Sequence, residues 1–150
     1  MGGATVLMAS GLELPNNVKG IISDCAFTSA WEVFVDVLKD MYHIPPYPII
    51  NIANSISKSI AGYGLNECNS AEEVKKAKVP ILFIHGDNDT FVPCSMSKEI
   101  YKNCASPKAL LIVKDAGHAE SYYKDTINYE KKVKDFIERY LSNKEVIIND

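Results

Sequence analysis

Apolar positions along this chain fall into short runs separated by turn residues, and their spacing alternates between two patterns. From Gly3 to Gly11 the small apolar residues Ala4, Val6, Leu7 and Ala9 predict a buried helix pressed against a sheet. Leu14-Pro15-Asn16-Asn17 is turn chemistry. Val18 to Ser23 reads as a short strand rich in β-branched residues, with Asp24 at its end. Thr28 or Ser29 can cap a helix running to about Tyr42, and Glu32 suits its first turn. On that helix Trp31, Phe34, Val35, Leu38, Met41 and Tyr42 recur at three- and four-residue steps, which predicts a wide apolar face.

The segment His43-Ile44-Pro45-Pro46-Tyr47-Pro48 ends the helix, because prolines remove donors and exclude helical dihedrals upstream. Ile49 to Ile60 reads as a further helix stopped by Gly62-Tyr63-Gly64, and Asn69-Ser70-Ala71-Glu72-Glu73 as the start of a short charged one. Val79 to Ile84 is a near-continuous apolar run, as expected of a parallel strand buried on both faces. Ser95 to Cys104 reads as a helix, Ala109 to Val113 as a strand, and Asn128 to Leu141 as an amphipathic helix. The tail from Ser142 to Asp150 has no evident partner. Strands alternating with helices imply an α/β fold with a parallel sheet and right-handed crossovers. Ligands of such sheets bind at the carboxyl ends of the strands, where Asp24, Asp89 and His118 all fall.

Bulk properties narrow the partners. A chain of 150 residues with 47% hydrophobic and 23% charged content can form one ordinary globular domain. A net charge of −3 gives no electrostatic reason to expect nucleic acid or an anionic membrane. No apolar run approaches the roughly 20 residues that span a bilayer, and no basic leader marks a secretory signal. Cys25, Cys68, Cys94 and Cys104 form no C-x-x-C pair and no zinc-finger spacing, so they are expected to be free thiols in a cytoplasmic protein. Asp87-Asn88-Asp89 imitates the start of a calcium loop, but its glycine and distal glutamate do not follow, so no metal is expected. A nucleotide-binding domain would need a phosphate-cradling Gly-rich loop, which is missing.

Three segments bear the chemistry. Gly86-Asp87-Asn88-Asp89-Thr90-Phe91-Val92-Pro93 ends one buried strand, and Ala116-Gly117-His118 follows the next. An acid and a base on neighbouring loops at one sheet edge can form the orienting pair of a nucleophilic hydrolase. The acid could be Asp89 or Asp87, and Asp24 on the preceding strand is geometrically possible. His85 at a buried strand end reads as a core or supporting residue, and His43 as solvent-facing.

Together with Met1-Gly2-Gly3-Ala4-Thr5-Val6 at the start, these segments resemble the α/β-hydrolase superfamily, in its esterase-like group with G-x-S-M-G-G elbows. The acid loop is similar to that family's G-x-x-D-x-x-V-P, with Asp89 in the acid's position, and Gly117-His118 resembles the pair carrying the base. The resemblance implies the C-terminal part of a doubly wound parallel sheet, with a helical cap insertion at about 27–78. It places the nucleophile serine immediately before Met1, so that the chain is expected to lack it and to be inactive alone. The Met1 backbone N–H would be an oxyanion donor, and Gly2 the elbow glycine that lets strand and helix approach. Trp31, Phe34 and Phe91 are expected to bind an acyl substrate, and no cofactor is implied. The missing N-terminal half-sheet, or another chain, is expected at an exposed sheet edge. The rival reading is a non-catalytic fragment that binds ligands or partners.

Overall fold

The computed structural model describes residues 1–140. The expected helix end at Leu141 and the tail from Ser142 to Asp150 lie outside the described residues. Helix α1 (Gly2–Ser10) leads to strand β1 (Ile21–Asp24), then α2 (Ala30–Asp36), which continues as a π-type turn over Val37–Met41. Helices α3 (Ile49–Ala61) and α4 (Ser70–Glu73) precede β2 (Ile81–Gly86). The chain closes with α5 (Cys94–Asn103), β3 (Lys108–Val113), a short α6 (Ser121–Lys124) and α7 (Thr126–Tyr140). The strands form one parallel sheet in the order β1-β2-β3, with Ile21 beside Ile81 and Ile81 beside Lys108.

Backbone donors set where the strands begin. Proline at position 80 has no N–H, so pairing starts at Ile81, whose N–H donates to the Pro107 carbonyl at 3.0 Å. The Pro80 carbonyl still serves the sheet by accepting from Ile21 N at 2.9 Å. Val18, expected within β1, instead closes a turn onto the Pro15 carbonyl at 2.9 Å.

Every residue of β2 is buried, because helices cover both faces of the middle strand. On one face Ile21, Ile81 and Phe83 pack with Leu7 of α1, Val74 and Ile100 of α5. On the other, Leu82 and Ile84 meet Val113, Ala116 and Phe136 of α7. β1 is an edge: among the described residues its one strand neighbour is β2, and its Ile22 is 39% exposed.

The long segment between β1 and β2 leaves and re-enters the sheet layer through a neck. Ala30 N donates to the Cys68 carbonyl at 3.0 Å and Ser70 N to the Thr28 carbonyl at 2.7 Å. Asn69 caps α4 by accepting from Glu72 N at 3.0 Å, and beyond it Ala71, Val74 and Ala77 belong to the sheet's own core. The helical excursion outside that core thus runs between Ala30 and Cys68. Within it the expected apolar face of the first helix is not buried: Phe34, Met41 and Tyr42 are exposed, and α2 buries Ala30 and Val33 instead. The π-type turn at Val37–Met41 adds a residue to the helical repeat, so the face counted through Leu38 and Met41 does not stay in line.

Candidate active site

Adjacent parallel strands deliver their following loops side by side, and the loops after β2 and β3 are stitched together. Asp87 N donates to the Val113 carbonyl at 3.0 Å and Asn88 N to the Ala116 carbonyl at 3.0 Å. In the other direction, the Asp87 carboxylate accepts from Asp115 N at 2.7 Å. Asp87 therefore fixes the neighbouring loop, where Asp115 holds a left-handed φ of 56°. Asp87→Ala should cost roughly 0.5–2 kcal/mol, the usual value of a lost backbone cap, while leaving turnover within about threefold. A urea titration and a steady-state assay of the variant check both numbers.

Asp89 lies two residues further into the loop with a fully buried carboxylate. Its Oδ1 accepts from Phe91 N at 3.0 Å and from Val92 N at 2.8 Å, an Asx-type turn closed by the side chain. Its Oδ2 lies 2.8 Å from Nδ1 of His118 and 3.2 Å from Nε2 of His85. The His118 ring is 35% exposed, so one nitrogen faces a buried anion while the ring keeps contact with open space. The Phe91 ring packs edge-on against it, 5.1 Å between centroids. Beyond His118, Ala119 N donates to the Cys25 thiol at 3.3 Å and Gly117 N to Glu120 Oε2 at 3.0 Å. Asp24, the remaining candidate acid, serves elsewhere: it accepts from the Tyr129 hydroxyl at 3.3 Å and the Cys25 thiol at 3.2 Å.

A cavity of about 410 Å³ opens beside His118, lined by Met1, Val33, Phe34, Leu65 and Phe91 among others. Phe34 and Phe91, both expected at a substrate site, are thus on the same cavity as the base, and Met1 is as well. Trp31 is not. It lines a separate groove with Glu32, Asp36, Tyr47 and Glu99. The reason is helical phase: Ala30, Val33, Phe34 and Val37 share one face, and Thr28, Trp31, Glu32 and Val35 the other. Phe34 and Trp31 thus point to opposite sides of one helix, Phe34 into the cavity and Trp31 into the groove. A second correction concerns the glycines. No heavy atom among the described residues comes within 4 Å of a Cβ built on Gly2, whereas one on Gly3 would run into the Asp24 carbonyl. The close helix–strand approach seen here therefore rests on Gly3, reinforced by Ser23 Oγ donating to the Gly3 carbonyl at 3.1 Å.

Cys25, His85 and Asp89 form the described cluster with metal-ligand spacing. His85 does not suit a ligand role: Nε2 faces the Val92 carbonyl at 2.8 Å, which only accepts, so that nitrogen carries a proton. The four cysteines are free. Burial pushes the Cys25 thiol up to about 12, opposed by the Ala119 N–H and aided by the charge of Asp24. Burial, then the nearby Asp24 carboxylate, also raises the Tyr129 hydroxyl to about 12. Both groups bind protons more tightly folded than unfolded. Their contribution is full below their ordinary pKa values, near 9 and 10, and is lost as pH climbs from there toward about 12. Melts recorded between pH 8 and 11 should show the midpoint falling from about pH 9 upward, and Tyr129→Phe should flatten the steeper part.

Comparison with known proteins adds kinship to this geometry. The model of the prolyl oligopeptidase family matches residues 1–144. Uncharacterized protein YqkD of Bacillus subtilis (strain 168) is 32% identical over 138 residues, covering 92% of this chain and 45% of the relative. The chain thus spans about half the length of that curated relative. Among solved structures, Pyrococcus horikoshii acylaminoacyl peptidase superposes with a TM-score of 0.69 at 19% identity, over 99% of this chain and 24% of its own. The Pyrococcus furiosus esterase Pf2001 gives 0.67 at 18% identity, over 95% and 51%. The esterase domain of a Rhodothermus marinus protein gives 0.64 at 20% identity, over 94% and 57%. The fold is that of the C-terminal part of an α/β-hydrolase.

Proposed function

We propose, since this chain belongs to the prolyl oligopeptidase family of α/β-hydrolases, that it supplies the acid and base of a serine hydrolase acting on carboxylic acid derivatives. Asp89 is the acid, His118 the base, and the nucleophile is a serine directly preceding Met1 in a longer polypeptide. The observation that carries this reading is the 2.8 Å contact between His118 Nδ1 and the buried Asp89 Oδ2, beside a cavity that Met1 also lines.

The chemistry follows from that contact. Asp89 accepts a hydrogen bond from Nδ1–H, which keeps its proton, and so leaves Nε2 with its lone pair free to take the serine proton as the hydroxyl attacks an acyl carbonyl. The buried carboxylate then stabilises the imidazolium, which returns its proton to the leaving alkoxide or amine. The same ring deprotonates a water that releases the acyl group from the serine. The Met1 backbone N–H stabilises the oxyanion in both steps. Val33, Phe34, Leu65 and Phe91 favour an apolar acyl group in the cavity. No cofactor takes part. The free edge of β1 receives the parallel strand that leads to the nucleophile, so residues 1–150 alone are inactive and prone to pair at that edge. Among the described residues no helix is long and apolar enough to cross a membrane, and free thiols suit a cytoplasmic setting.

The test compares residues 1–150 with the protein including its upstream sequence, on short-chain p-nitrophenyl esters. The longer protein should turn over, and a fluorophosphonate should label the serine next to Met1. The short chain should do neither. Hydrolysis by the short chain, or labelling at another residue, would sink the assignment.

A further inference from the structure

His85 is wholly buried and its ring is bonded on both sides, yet the triad chemistry above does not use it. Its Nδ1 lies 2.6 Å from Ser97 Oγ, and its Nε2 lies 2.8 Å from the Val92 carbonyl and 3.2 Å from Asp89 Oδ2. A carbonyl oxygen can only accept, so the proton sits on Nε2. In the neutral ring Nδ1 is then a lone pair beside the Ser97 hydroxyl, whose one proton is divided between it and the Ala26 carbonyl. Ser97 in turn lies 3.3 Å from the Ala26 carbonyl at the base of the neck.

The single Nε2 proton is therefore directed at Val92, which closes the acid loop, and the same nitrogen lies 3.2 Å from Asp89 Oδ2, the oxygen that faces His118. Only one ring position satisfies both. Without it, Oδ2 would be held by His118 alone, and the carboxylate would follow the part-exposed base instead of orienting it. Both Asp89 oxygens would still be buried, but only Oδ1 would be pinned by rigid backbone donors.

We propose that His85 is a positioning residue for the acid: as the Nε2–H tautomer set by the Val92 carbonyl, and seated against Ser97, it fixes the Asp89 carboxylate plane so that Oδ2 meets His118. The inference rests on the triad reading above. A carboxylate displaced by about 1 Å leaves His118 misoriented, a fault that can cost about 10²-fold in rate without loss of binding.

Two variants separate this role from core filling. The amide nitrogen of glutamine reaches the place of Nε2, whereas that of asparagine reaches only the place of Nδ1. In the full-length protein His85→Gln should keep kcat within about fivefold. His85→Asn should lower it by about 10²-fold with KM nearly unchanged. Equal kcat in the two variants would overturn the inference. Nitrogen-15 histidine spectra of the unsubstituted protein supply a readout that depends neither on activity nor on variant folding: His85 should carry its proton on Nε2. A proton on Nδ1 in its place refutes the inference and leaves the triad intact. Wild-type turnover that survives His118→Ala refutes the triad reading and this inference with it.

Discussion

His118→Ala, made in the full-length protein, should lower kcat on a short acyl ester by about 10⁴–10⁶-fold while KM changes less than about tenfold. The size follows from the wiring. Asp89 is fully buried and its Oδ2 faces His118, whereas the other candidate acids, Asp87 and Asp24, are bonded to Asp115 and to Tyr129 and Cys25. No neighbouring acid can orient a substitute base. Asp89→Asn should cost about 10⁴-fold, for a different reason. The Phe91 and Val92 N–H groups both need an oxygen at the Oδ1 position, so the new NH₂ must point at His118. Two donors then face each other until His118 moves its proton to Nε2, the nitrogen that must accept from the nucleophile. Single-turnover kinetics distinguish the cases, because His118→Ala removes the base and Asp89→Asn misprotonates it. Retention of more than a tenth of wild-type kcat in His118→Ala would refute the assignment.

Gly86→Ala should damage both stability and rate although a methyl group is small. A Cβ at position 86 would press into the Ala116 carbonyl and stand 2.7 Å from its carbon and 2.9 Å from its Cβ. Backbone on the far side cannot rotate away as a side chain would. The two loops must part, and they are the ones carrying Asp89 and His118. Overpacking of this kind costs about 1–3 kcal/mol, and a shift near 1 Å between acid and base costs about 10²-fold in kcat. A melt lowered by several degrees together with a kcat loss of that order is the expected pair of results. An unchanged kcat in a folded Gly86→Ala protein would mean that the loop contact does not set the triad distance.

How much of this molecule is legible in its amino-acid order depends on the range of the interactions involved. The middle strand announces itself because burial on both faces leaves Ile81 to Ile84 no polar position, and Asp89 and His118 follow from loops that succeed adjacent strands. β1 and β2 start later than their apolar runs imply, because a start depends on which N–H finds a carbonyl across the sheet. Pro80 has none to offer, and Val18 spends its own on a turn. Trp31 and Phe34 are both aromatic on one helix, and only the cavity's location tells their faces apart. The work of Gly3 against Asp24, and of His85 against Asp89, is invisible locally because each is defined by a partner from another loop or strand.

The thin attachment of α3 has a consequence for how the molecule breathes. Of its residues only Ile50 is buried, while Ile52, Ile56 and Ile60 face outward, so little apolar contact opposes its detachment. β2, buried along its whole length, and the buried Asp89 and Val92 of the turn after it sit at the opposite extreme. Amide hydrogen exchange should therefore divide the chain: α3 protons exchanging early through local opening, those of Leu82, Phe83, Ile84 and Val92 last, near the limit of global unfolding. Local opening of α3, which reaches the cavity through Ser57, can then recur many times without disturbing the buried Asp89 carboxylate.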